Sequence, residues 1–161
     1  MKCQDVPINT VKTTWIEINL HILLPIFVGA SIYLLFRKNT LLVFTWIEYI
    51  GGSDIILCIR DNVFFIRKYI PDFILYSLPD GIWVYSGTIA FVSIWKGNSN
   101  TPFCVFWISL LFSCSIVAEI LQLFGIVNGT FCLVDIVFYI LFFCLALYPY
   151  VKRRLLWAEK H

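Results

Sequence analysis

Glu119 and Asp135 each lie inside an apolar run long enough to cross a bilayer, on opposite sides of one short turn. Nothing else in the chain restricts its fold so sharply. The stretch Ala118–Tyr139 reads as the end of one membrane helix, a Gly/Asn turn spanning Gly125 to Gly129, and the start of the next. Glu119 is six residues before that turn and Asp135 six after it. At a rise of ~1.5 Å per residue both carboxylates fall roughly 9 Å below the loop, at one depth. Gln122 shares a helix face with Glu119, and Tyr139 shares one with Asp135, by their spacings of three and four. Carboxylates inside membrane helices are costly to place and mark a functional site by default.

The environment of those acids follows from composition. The chain is 60% hydrophobic, and charged residues make up only 14%, well above the ~45–50% apolar share of soluble domains. A soluble core of 161 residues cannot bury so much apolar surface, so an integral membrane protein is expected. The net charge of +2 offers no footprint for nucleic acid. Six cysteines show no metal-ligand spacing, and two His residues leave no Ser/His or Cys/His pair for nucleophilic catalysis. No metal site and no cofactor is expected. A Cys58–Cys132 disulfide would require an oxidising compartment.

The expected architecture is all-α, a four-helix membrane bundle forming a single domain over residues 1–161. Its spans run approximately over 18–36, 79–95, 103–124 and 131–148. The first reads as an uncleaved anchor, because apolar residues continue past Val28-Gly29-Ala30 to Phe36. His21, near its start, reads as a snorkelling or hydrogen-bonded side chain rather than a ligand. Residues 41–76 form an interfacial segment with amphipathic helices, in which Arg60 and Asp61 oppose an apolar face of Ile55, Ile56, Ile59, Val63 and Ile66. That segment is either a plain collar or a lid. Ser77-Leu78-Pro79-Asp80 has a capping-box pattern and reads as the start of the second span. Trp83 falls on the face of Asp80, while Ser86, Gly87 and Ala90 permit close helix contact. Asn128-Gly129-Thr130 spells a glycosylation sequon, but the turn reading is preferred.

Four spans place both termini on one side. That side carries seven basic residues, including Lys152-Arg153-Arg154, against five on the other, with Arg60 far from any helix end. The balance orients the termini to the cytoplasm of a bacterial inner membrane. Asp80, Glu119 and Asp135 then share the outer leaflet and form an outward-facing acidic pocket beneath a basic, aromatic segment whose Arg37, Lys38, Arg67 and Lys68 are tethered at the same level.

These residues also resemble a known pattern. Glu119-x-x-Gln122, the Gly/Asn turn, Phe131 and Asp135 resemble the signature of the VanZ-like family, small multi-span bacterial proteins associated with teicoplanin resistance. In that family a Glu-x-x-Gln on one span precedes an arginine-bearing turn and an Asp on the next span. Here Asn128-Gly129-Thr130 stands where the arginine is expected, and Tyr139 where an Asn is frequent. The run Leu78–Trp83 looks like a subset of these proteins. The resemblance covers residues 75–148 and implies an envelope role against glycopeptides.

Three functions remain open. The pocket binds a polar, lipid-linked or peptidoglycan-type ligand through Asp80, Trp83, Tyr85, Glu119, Gln122, Asp135 and Tyr139. Alternatively, the paired carboxylates divide acid and base roles in an intramembrane enzyme, or share a divalent ion. In the third, the acids are interhelical glue in an accessory subunit that docks on a membrane protein partner. Membrane lipid is a partner in every version.

Overall fold

A computed structural model describes residues 15–37, 42–49, 51–95, 101–127 and 129–158. The described residues form helices and turns, with no strand. Helix α1 covers Trp15–Phe36. Helices α2, Leu42–Tyr49, and α3, Ser53–Val63, follow, and a 3-10 turn, Phe64–Tyr69, leads onward. Three long helices complete the chain: α4 over Asp72–Ile94, α5 over Thr101–Leu123 and α6 over Leu133–Ala158. Segments Trp15–Phe36, Pro102–Leu123 and Leu133–Tyr150 are long and apolar enough to cross a membrane.

Helix α4 is not one of those three, and its position explains why. It packs most extensively on α6, then on α1 and α5. Its buried residues include Leu75, Ser77, Val84, Ser86 and Thr88, which fall on more than one face. A helix sheathed by other helices gains more from small side chains than from lipophilic ones, because small side chains let backbones approach. A Cβ on Gly81 would fall 2.7 Å from the Phe142 ring of α6, and one on Gly87 would fall 2.9 Å from Leu111 of α5. Thr88 satisfies its buried hydroxyl by donating to Val84 O at 2.7 Å.

The start of α4 differs from the Ser-x-x-Asp reading. The helix begins at Asp72 behind Pro71, so Ser77 and Pro79 lie in its interior and Asp80 is no cap. Pro71 has extended backbone, ψ 145°, and supplies the break that precedes the helix. Asp72 in the first turn suits the positive end of the helix dipole. Pro79 removes the amide that would bond Leu75 O and loosens that turn. Arg37 Nη2 donates to the adjacent carbonyl, Tyr76 O, at 2.8 Å.

Helix α1 is also irregular. Residues Asn19–Leu23 form a π-helical turn, and Leu24 N donates to Asn19 O. Pro25 accounts for it: without an amide it cannot bond His21 O, and the ladder widens by one residue around the gap. Helix α5 ends in a Schellman motif, with Ile126 N donating to Leu121 O at 2.9 Å and Gly125 N to Gln122 O at 3.0 Å. Gly125 takes the left-handed φ of 67° this cap demands. The turn therefore begins where the sequence places it; Asn128 lies outside the described residues.

Arg60 corrects another expectation. Its guanidinium reaches from α3 to the carboxyl end of α1, donating to Leu34 O at 3.1 Å and Arg37 O at 2.7 Å, with its charge 5.0 Å from the Phe44 ring centre. It sits at a helix end and complements that helix's negative pole. Cys58, Cys104, Cys114, Cys132 and Cys144 are free thiols, so Cys58 and Cys132 are not joined.

Candidate functional site

Helices α1, α4, α5 and α6 each bring a charged side chain to one end of the helix cluster. Arg37 terminates α1, Asp80 lies in the first half of α4, Glu119 is one turn from the end of α5, and Asp135 is in the first turn of α6. Asp80 feels the charges of Arg37, Asp135 and Glu119, and Glu119 those of Asp135 and Arg37. The three carboxylates are thus within electrostatic reach of one another.

Each acid has its own partner set. Asp80 pairs with Arg37, Oδ2 to Nη2 at 3.3 Å. The Arg37 cation also lies 5.3 Å from the Tyr33 ring centre and 5.0 Å from that of Tyr76, within the range where aromatic faces attract cations. Arg67 Nη2 donates to the Tyr76 hydroxyl at 3.0 Å, so that ring is held between two guanidinium groups. Glu119 is 3% exposed; its Oε1 accepts from the Tyr139 hydroxyl at 3.3 Å and its Oε2 from Cys132 N at 3.4 Å. Its carboxylate therefore bridges two points of the following segment, Cys132 and Tyr139, that bracket Asp135. That bridge holds Glu119 against the start of α6, which carries Asp135.

Asp135 is different. It is 8% exposed, and its Oδ1 is buried without a hydrogen-bond partner among the described residues. Arg37 Nε is also buried and has no partner among the described residues. Unmet polar atoms of this kind are rare in a folded interior and costly. Among the described residues, no three Asp, Glu, His or Cys side chains stand close enough to share a metal ion.

The remaining expected site residues divide. Gln122 is half-buried and packs on the turn, where a Cβ on Gly129 would fall 2.5 Å from its Cδ. Trp83 is 48% exposed. Tyr85 belongs elsewhere: its hydroxyl meets His21 Nδ1 at 2.9 Å, and both line a separate cavity of about 130 Å³. Sequence reasoning placed Arg37 in the basic segment at the level of the acids without counting it among the ligand-binding residues, and it set Arg60 aside. Nothing local marks their contacts, because their partners lie 23 to 43 residues away. The position of Arg37 directly after an apolar run is the signal that sets it at the level of the acids; its pairing with Asp80 is not marked in the sequence.

No family model, curated protein or solved structure matches this chain.

Proposed function

We propose that the protein is a bacterial cell-envelope membrane protein of the VanZ-like type. Helices α1, α4, α5 and α6 span the inner membrane, both termini are cytoplasmic, and α2, α3 and the 3-10 turn lie in the outer interface. The cluster of Asp80, Glu119, Asp135, Tyr139 and Arg37 receives the polar part of a lipid-linked or peptidoglycan-type ligand from the outer leaflet. The observation that carries this reading is Asp135, a carboxylate 8% exposed, with one oxygen unpartnered among the described residues, inside a cluster of two other acids. Such an arrangement is poor as glue, since it leaves a desolvated acceptor unsatisfied. It suits a group that accepts a hydroxyl, amide or amine donor from outside the chain. Arg37 stands in this reading where the missing turn arginine would be.

A second reading has its own support. Both oxygens of Glu119 are met by groups after the turn, Cys132 N and the Tyr139 hydroxyl, as expected of interhelical glue in an accessory subunit. Expression in a glycopeptide-sensitive bacterium separates the two. Binding predicts that Glu119→Gln and Asp80→Asn remove the change in susceptibility while the protein remains folded at normal abundance. Glue predicts that folding and phenotype are lost together, or that a larger membrane partner co-purifies regardless of the acids.

A further inference from the structure

The 3-10 turn Phe64–Tyr69 buries none of its six side chains. Phe64, Phe65 and Tyr69 are exposed, and Arg67 and Lys68 are exposed beside them. At three residues per turn, side chains three apart lie along one edge. Phe64 therefore shares an edge with Arg67, and Phe65 shares one with Lys68. Each edge joins an apolar ring to a cation, ~6 Å apart along the axis at a rise of ~2.0 Å per residue. Segments at a membrane surface have this make-up, with rings toward the acyl boundary and cations among the headgroups.

The neighbouring contacts fix the turn at one level. Arg60 ties α3 to the carboxyl end of α1 through Leu34 O and Arg37 O, and α4 starts behind Pro71, directly after the turn. The turn is thereby held near the point where α1 leaves its apolar run.

The two cations are not neutralised by the chain. Arg67 uses one N–H on the Tyr76 hydroxyl at 3.0 Å, which orients its guanidinium. Among the described residues neither Arg67 nor Lys68 forms an ion pair, although Asp61 and Asp72 are near in sequence. Every acid between residues 15 and 158 is among the described residues, so no other carboxylate of that stretch is left to pair with them. A guanidinium fork beside an ammonium group suits phosphate oxygens.

We propose that Arg67 and Lys68 bind the headgroup phosphodiester of an anionic phospholipid, while Phe64 and Phe65 enter the acyl boundary of the same leaflet. This rests on the reading that the turn lies in the membrane interface.

The test uses the full chain in nanodiscs, with hydrogen exchange of the Phe64–Tyr69 amides read by mass spectrometry. The discs contain phosphatidylcholine alone or equal parts of phosphatidylcholine and phosphatidylglycerol, and a maltoside micelle is the lipid-free reference. Phosphatidylglycerol slows exchange, and Lys68→Gln loses about fivefold of that slowing, the factor expected for one basic side chain at an anionic surface. Lys68→Arg retains it. Lys68 makes no bond among the described residues, so its loss leaves the turn folded. Because the readout is confined to the turn, lipid gathered by Lys152-Arg153-Arg154 does not enter it. Slowing that is unchanged in Lys68→Gln, or that inorganic phosphate reproduces in phosphatidylcholine discs, overturns the proposal. Equal exchange in the two discs, slower than in the micelle, also overturns it and leaves the interfacial position standing. Exchange as fast in both discs as in the micelle overturns both.

Discussion

Arg37 Nη2 and Asp80 Oδ2 meet at 3.3 Å across 43 residues of sequence, joining the end of α1 to the middle of the helix on which the others pack. The side chains are 24% and 29% exposed, so the pair is neither a surface contact nor a fully desolvated one. Removing one partner of a buried pair costs ~3–5 kcal/mol, and this partial exposure reduces that to about 1–3 kcal/mol. Arg37→Gln should therefore lower the melting temperature in detergent. Arg37→Gln with Asp80→Asn should recover part of the loss, because the second change removes the stranded charge. A double variant no more stable than Arg37→Gln alone would show that the pair is not coupled.

Arg60 anchors α3 to α1 through two backbone carbonyls, Leu34 O and Arg37 O. Each bond involves a charged donor, worth ~1.5–3 kcal/mol where solvent is excluded, and partial exposure brings the sum to about 1–3 kcal/mol. Arg60→Ala should expose the α2–α3 region to protease while leaving α4 to α6 protected. Equal protection of wild type and variant in limited proteolysis would contradict that anchoring role.

Two glycines of α4 should respond differently to the same change. At Gly81 the new methyl meets Phe142 at 2.7 Å and Phe138 Cβ at 3.2 Å, and these two rings stack on each other with centroids 5.9 Å apart. At Gly87 it meets the tip of Leu111, which can rotate. Overpacking costs ~1–3 kcal/mol where neighbours cannot yield. Gly81→Ala should destabilise by about that amount and Gly87→Ala by less, as read by thermal unfolding. The reverse order would mean that α4 and α6 are less closely packed than α4 and α5.

Tyr139→Phe removes one of the two donors that Glu119 receives. With Glu119 3% exposed, the cost is that of an under-satisfied buried acceptor, about 1–3 kcal/mol. Tyr139→Phe with Glu119→Gln should be closer to wild type in melting temperature than Tyr139→Phe alone.

Much of this was legible from residue order because it is locally encoded. Apolar run length marks the helices Trp15–Phe36, Pro102–Leu123 and Leu133–Tyr150. The helix end at Gly125 is legible too, because a glycine with left-handed backbone is marked by its residue type. What was hidden depends on distant partners. The Ser77–Asp80 pattern resembles a helix start, yet the helix continues through it because Pro71 breaks the chain earlier and burial against three helices outweighs the local signal. Tyr85 shares a helix with Asp80, but five residues of separation turn it toward His21. Pro25, seen simply as part of an apolar run, distorts the turn that carries that histidine.

Asp135 separates a residue kept for binding from one kept for packing. Its Oδ1 has no partner among the described residues, which implies that Asp135→Asn loses little stability, because no ion pair among them is broken. The decisive measurement is the teicoplanin susceptibility of a sensitive bacterium producing wild type or Asp135→Asn at equal membrane abundance. The account predicts reduced susceptibility with wild type and the empty-vector value with Asp135→Asn. Protection by the variant equal to that by wild type, or no protection by either, would contradict it.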